Sequence, residues 1–142
     1  MPSTRRLRFS GRFENLALLA EFVVTAAREA GLSDADVYSV QLAVDEACAN
    51  IIEHAYGGEG NGDIECTCSV RDDRLIVLLS DTGCPFDPRG VPSPNLTAEL
   101  ENRETGGLGV YLMTRMMDEV HFERDGVTNT LTMVKRVSEV RP

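Results

Sequence analysis

The stretch VQLAVDEACANIIEHAYGG, from Val40 to Gly58, decides the fold, because it has the pattern of a helix whose two sides differ. At about 100° of rotation per residue, its apolar positions form one narrow stripe that faces a core. Glu46, Asn50 and His54 form a second row on the opposite side. The stripe consists of Val37, Val40, Val44, Cys48, Ile51 and Ala55.

The polar row has two interpretations, a solvated surface or a binding site. A solvated surface is the ordinary one for an isolated Glu, Asn or His. The positions that flank the row are small or apolar, however, which is unusual for a surface in water; they are Leu42, Ala43, Ala47 and Ala49. Asn50 also has a weak helix propensity for a mid-helix position. Both observations favour a site.

Before this helix, RRLRFS alternates apolar and polar residues and is predicted to be a short strand. Helical periodicity predicts a first helix over about residues 15–30. Ser33 is a suitable cap for the second helix, and Asp36 three residues later completes a start similar to a capping box. The second helix is predicted to continue to about Tyr56.

After this helix, DIECTCSV and RLIVLLSD are predicted strands, and the second is apolar enough to be central. Residues 85–105 contain four prolines and no clear period, which predicts a long functional loop. GLGVYLMTRMMDEV is predicted to be a third helix, and VHFERDGVTNTLTMVKRV a hairpin that turns at Asp125-Gly126. The order predicts an α+β two-layer sandwich, with helices on one face of a mixed, mostly antiparallel sheet.

The length of 142 residues fits one domain, expected over residues 1–142. The formal net charge is −9 and the pI about 4.7. This balance disfavours nonspecific binding to nucleic acid or to an anionic membrane, because both are negatively charged.

The N-terminal segment MPSTRRLRFSGRF lacks the apolar core of a secretory signal, and no apolar run is long enough to span a membrane. A cytoplasmic location is therefore expected. Cys66 and Cys68 alternate on one face of a predicted strand, and the spacing of the four cysteines does not match a structural zinc site. Free thiols in a reducing compartment are the expected state.

Two further motifs contain residues suited to a nucleotide. SDTGCPFDP places Asp81 at the end of the central strand, where its carboxylate can accept a hydrogen bond from an exocyclic amine. Gly83 in the following turn would let a flat ring approach the backbone. ETGGLGVYLM places Gly106, Gly107 and Gly109 at a helix start, where free N–H groups bind anions.

In this order and spacing, the three motifs resemble the GHKL ATPase/kinase superfamily. DEACANIIEHAY resembles its N box, DTGCPFDP its G1 box and GGLGVYLM its G2 box, and NTLTMVKR resembles the strand that closes the site. The segments FDP, HAY and MDEV narrow the resemblance to small single-domain anti-sigma factor serine kinases of bacterial partner-switching systems.

The resemblance implies roles for five residues. Asn50 corresponds to the ligand of Mg²⁺ at the phosphates of ATP, and Glu46 to the general base that accepts the proton of a serine hydroxyl. Asp81 corresponds to the residue that recognises the adenine amine, and Gly83 keeps the backbone clear of the base. Thr130 is expected to support Asp81 through a water molecule.

For the phosphates, the resemblance implies Gly107 and Gly109 as binding residues and residues 89–105 as an ATP lid. Arg103 lies in the second half of this lid, where it either contacts the γ-phosphate on closure or remains solvated. His54 has two open interpretations, a structural role and a role in the site.

The implied function is phosphorylation by Mg-ATP of a serine on a STAS-type anti-anti-sigma antagonist, with sequestration of a sigma factor by a homodimer. The alternative is a non-catalytic ATP-binding module that holds a partner, although such a module does not need Glu46. The catalytic part of a histidine kinase is disfavoured because no segment before the first strand could form the helical pair that carries the phosphoacceptor. Larger GHKL ATPases need further domains to couple hydrolysis to motion.

Overall fold

The computed structural model describes residues 3–85 and 113–137, which form a five-stranded sheet with helices on one face. The strands are β1 (Ser3–Ser10), β2 (Asp63–Arg71), β3 (Arg74–Asp81), β4 (Glu119–Asp125) and β5 (Thr128–Arg136). Their order in the sheet is β1-β2-β3-β5-β4. All four pairings within the described residues are antiparallel. The α+β two-layer prediction is confirmed, and no parallel pair occurs in this part of the sheet.

Two long helices pack on this sheet, α1 (Leu16–Ala30) and α2 (Asp34–Asn50). Gly31 ends α1 in the left-handed conformation at φ 91°, which a glycine adopts without steric cost. The Ser33 hydroxyl accepts a hydrogen bond from the Asp36 N–H at 3.2 Å, so the predicted cap is confirmed. No helix among the described residues is long and apolar enough to cross a membrane.

The predicted second helix has the expected extent but changes geometry at Asn50. Residues Ile51–Ala55 continue α2 as a π-helical segment, in which the Tyr56 N–H donates to the Ile51 carbonyl at 2.9 Å. The π-type turn forms the C-terminal end of the helix, a common place for such turns. The change occurs directly after the asparagine to which the resemblance assigns a ligand role.

The core lies between the helices and the inner face of the sheet. All six members of the predicted stripe of α2 are buried: Val37, Val40, Val44, Cys48, Ile51 and Ala55. Opposite them, Cys66 and Cys68 point inward from β2 with their Sγ atoms 4.0 Å apart. Burial, followed by the charge of Asp45, raises the pKa of the Cys48 thiol to about 12. The four cysteines are free, as predicted.

The predicted third helix is only partly described. Residues 113–116 are helical, and β4 begins at Glu119, which pairs with Val134. The third helix was predicted to extend through MDEV, and this prediction is wrong at the C-terminal end of the helix. Glu119 and Val120 pair with β5 as the start of β4 and are therefore not helical. The Lys135 ammonium group donates to the Met116 carbonyl at 2.6 Å and satisfies an acceptor at the end of this helix.

Candidate active site

The polar row of α2 is largely withdrawn from solvent. Asn50 is only 3% exposed, while Glu46 and His54 are half-buried. Among the residues that the structure describes, the Asn50 Nδ2 atom has no hydrogen-bond partner. A buried amide without a partner costs about 1–3 kcal/mol, so such a group needs an explanation. The solvated-surface interpretation is wrong for Asn50, and a polar ligand would satisfy its carboxamide.

A second unsatisfied group lies beside Glu46. The Oδ1 atom of Asp45 is buried and has no partner in residues 3–85 and 113–137. Burial, and then the charge of Glu46, raise the pKa of the Asp45 carboxyl above its ordinary value. Five residues separate Asp45 from Asn50, so the two unsatisfied groups lie on different sides of α2. The Asn50 carboxamide oxygen is the hard donor that suits a hydrated Mg²⁺.

The raised pKa of Asp45 predicts how stability depends on pH. The native state holds this proton more tightly than the unfolded chain, so ionisation of Asp45 destabilises the fold as the pH rises above the ordinary carboxyl range. Asp45→Asn should therefore raise the melting temperature more at about pH 7.5 than at about pH 4. We expect the gain in the free energy of unfolding to be less than about 1 kcal/mol, because solvent screens the charge of a half-buried group.

Thermal unfolding of both proteins at the two pH values checks this prediction. Asp73→Asn, at an exposed turn position, is the matched control and should change the melting temperature only slightly. An equal effect of Asp45→Asn at both pH values would contradict the assigned cause.

Asp81 lies at the end of β3 and is 5% exposed. Its Oδ1 atom accepts two hydrogen bonds, from the Gly83 N–H at 2.9 Å and from Asn129 Nδ2 at 2.8 Å. No residue of the described chain donates to Oδ2. Within the described residues, the carboxylate is therefore held through Oδ1 alone.

The turn after Asp81 packs directly on the end of the π-helical segment. The Cys84 N–H donates to the Ala55 carbonyl at 2.8 Å. A Cβ atom on Gly83 would lie only 2.4 Å from the same carbonyl oxygen. The structure thus brings the second motif against the first, and close packing on the helix is one reason for a glycine at position 83. The expected approach of a base to Gly83 stays a prediction.

The sequence prediction for Thr130 is not supported by the strand register. Asp81 pairs with Asn129, and Ser80 pairs with Thr130. Successive side chains of a strand point to opposite faces, so Thr130 lies on the face away from Asp81. Asn129 is the residue that the sequence reasoning missed; the signal was an amide inside a strand, where Asn is uncommon.

Tyr56, at the end of the first motif, joins two neighbouring segments. Its hydroxyl donates to the Asp63 carbonyl at 2.5 Å and accepts from the Thr82 N–H at 3.0 Å. Tyr56→Phe removes both bonds and leaves two backbone groups without this partner. We expect a loss of about 1–2 kcal/mol in the free energy of unfolding.

Urea unfolding measures the effect of Tyr56→Phe. The matched control is Tyr38→Phe on α2, because the Tyr38 side chain is 62% exposed. The control should change stability by less than about 0.5 kcal/mol. Equal effects of the two substitutions would show that the Tyr56 hydroxyl does not join these segments.

Three predicted site residues lie outside the described residues: Arg103, Gly107 and Gly109. The predicted lid, residues 89–105, also lies outside them. The described part of the site therefore consists of the α2 row, the turn after β3 and the start of β5.

This arrangement of helix, turn and sheet is the one found in a known family. Residues 9–135 match the histidine kinase-like ATPase domain, and the chain belongs to this family. The superfamily resemblance predicted from the three motifs is confirmed. Use of ATP is the property that the family implies.

Individual relatives agree with the narrower resemblance. The chain is 39% identical over 114 residues to a serine-protein kinase RsbW of Bacillus licheniformis, an overlap of 75% of this chain and 70% of the relative. It is 29% identical over 131 residues to an RsbW of Bacillus cereus, covering 89% and 81% of the two chains. The fold is also similar to a Mycobacterium tuberculosis structure with RsbU and RsbW domains, at a TM-score of 0.65 and 14% identity, covering 99% of this chain and 33% of that one.

Proposed function

We propose that the chain is an anti-sigma factor serine kinase, which uses Mg-ATP to phosphorylate a protein antagonist. The observation that carries this proposal is the buried amide of Asn50, whose nitrogen has no partner within residues 3–85 and 113–137. It lies one turn from the half-buried Glu46, on the helix whose end contacts the turn after Asp81. The identity of 39% to a serine-protein kinase supports the choice of reaction.

Recognition of the base is assigned to Asp81. Its Oδ2 atom accepts a hydrogen bond from the exocyclic amine of adenine, because Oδ1 is already bound by two donors. The backbone N–H groups around Gly107 and Gly109 bind the phosphates, by analogy with other helix starts.

The metal ligand is Asn50, whose carboxamide oxygen is a hard donor suited to Mg²⁺. A Mg²⁺ ion held by Asn50 would supply positive charge to stabilise the charge that develops on the phosphate oxygens. The Asn50 amide nitrogen, which lacks a described partner, donates to an oxygen of the same ligand.

The general base is Glu46, which lies four residues before Asn50 and thus on the same side of α2. Its carboxylate accepts the proton of the substrate serine as the serine oxygen bonds to the γ-phosphorus. The bond between this phosphorus and the bridging oxygen breaks, and ADP leaves. Residues 89–105 close over the nucleotide as a lid and exclude water, and Arg103 contacts the γ-phosphate in the closed state.

The proposed protein partners are those expected for an anti-sigma factor serine kinase. The substrate is a STAS-type anti-anti-sigma protein, and a sigma factor is sequestered by a homodimer of this chain when that antagonist is phosphorylated. The net charge of −9 is consistent with regulation through proteins rather than through direct binding to DNA.

The proposal is tested in a desalted lysate of the host. The purified chain is added with γ-labelled ATP and Mg²⁺, and labelled proteins are identified by mass spectrometry. We expect one small protein labelled on serine, and no label when the added kinase or Mg²⁺ is left out. ATP binding without any labelled protein would contradict the kinase assignment and favour a non-catalytic regulator.

A further inference from the structure

The contacts of Asp81 converge on one buried amide of β5. Asn129 is 2% exposed, and its Nδ2 atom lies 2.8 Å from Asp81 Oδ1. The same nitrogen lies 3.2 Å from the Gly83 carbonyl and 3.2 Å from the Cys84 carbonyl. Asn129 therefore contacts both the carboxylate and the backbone of the turn that follows it.

The orientation of this amide is set by its neighbours. Arg124 Nη1 donates to Asn129 Oδ1 at 2.8 Å and to the Gly83 carbonyl at 3.2 Å. Because a guanidinium group only donates, the atom that faces it must be the amide oxygen. The nitrogen then faces Asp81 and the two carbonyls, all of which are acceptors.

Two donors thus occupy the Oδ1 atom of Asp81, the Gly83 N–H and the Asn129 amide. With Oδ1 occupied, the carboxylate presents Oδ2 in a defined direction. A carboxylate is an acceptor only, so an amine of a base is attracted and an oxo group at the same position is repelled. A less constrained carboxylate could rotate and would discriminate less well between them.

We propose that Asn129 is a positioning residue for nucleotide specificity, which holds Asp81 so that the site prefers adenine over bases without an exocyclic amine. This inference rests on the proposed function, because it assumes that Asp81 faces the base. Arg124 contributes indirectly, because it contacts the Asn129 amide and orients it towards Asp81. Asn129 thereby takes the supporting role that the sequence suggested for Thr130.

The experiment is calorimetric titration with two nucleotides, ATP and purine riboside triphosphate, which lacks the 6-amino group. Asn129→Asp keeps an acceptor for Arg124 but removes the N–H donor, and Asn129→Leu removes both. The wild type should bind ATP more tightly. In both variants the preference for ATP should fall by about tenfold, the value of a hydrogen bond to a charged group, while purine nucleotide binding changes much less.

Two further variants distinguish a change in the position of Asp81 from a general disturbance of the fold. Arg124→Gln changes an exposed side chain, leaves the buried amide in place and should reduce the preference by about threefold. Thr132→Val lies on the same strand but faces away from the helices, and it should leave the preference unchanged. If both Asn129 variants fail to fold, Arg124→Gln decides the outcome.

A double-mutant cycle tests whether Asn129 acts through Asp81. In an Asp81→Ala background the preference for ATP is already lost, so Asn129→Leu should have no further effect on it. A wild type that prefers ATP together with Asn129 and Arg124 variants that retain the full preference would overturn this inference and leave the kinase assignment intact. A wild type that binds neither nucleotide would overturn both.

Discussion

Glu46→Gln should reduce phosphotransfer to the antagonist by about 10²–10⁴-fold, the usual contribution of a general base. The amide keeps the size of the side chain but cannot accept the serine proton. Binding of Mg-ATP should change by less than about twofold, because the residue acts on the incoming hydroxyl and not on the nucleotide. Initial rates with labelled ATP and calorimetric titration measure the two effects separately.

Glu53→Gln is the matched control for this change. Glu53 is an exposed carboxylate in the π-helical segment that follows Asn50, so its neutralisation makes the same chemical change at a solvent-facing position of the same helix. It should leave the rate of transfer unchanged. If Glu46→Gln transfers phosphate at the wild-type rate, another group removes the proton and the assignment of Glu46 is wrong.

Gly83→Ala should lower the free energy of unfolding by about 3 kcal/mol and abolish ATP binding. The new Cβ would lie 2.4 Å from the Ala55 carbonyl oxygen and 2.6 Å from its carbon, and a backbone group cannot rotate away. The turn must then move from the helix, which breaks the bond from the Cys84 N–H and displaces Asp81. Urea unfolding and nucleotide titration measure both losses.

Gly126→Ala provides the comparison for a glycine in open space. A Cβ at Gly126 meets no atom within 4 Å, but the residue has φ 64°. This substitution should cost only about 1 kcal/mol, from the left-handed conformation alone. If Gly83→Ala costs no more than this control and the variant binds ATP, close packing of the turn on the helix does not explain the glycine.

The sequence predicted the parts of the site that depend on local pattern. The period of the second helix placed Asn50 outside the core stripe, and the small residues beside it predicted correctly that Asn50 is not a solvated surface residue. The cap at Ser33 and the turn at Asp125-Gly126 were also predictable, because each depends on residues close together in the chain.

The parts that depend on register or on packing between elements could not be predicted in the same way. A shift of one residue in the pairing of β3 and β5 exchanges the faces of Asn129 and Thr130, and sequence alone does not set this register. One reason for Gly83 is its contact with Ala55, which is 28 positions away in the chain. The third helix ended earlier than its period suggested because β4 pairs with β5.

The most direct test of the central claim is the ratio of phosphoserine to ADP formed with the purified antagonist, once the lysate experiment has identified it. A serine kinase should form one phosphoserine on the antagonist for each ADP, and the ratio should be close to one throughout the reaction. ADP formed with free phosphate and no phosphoserine would show an ATPase. No ADP despite bound ATP would show a non-catalytic module, and either result would contradict the proposed function.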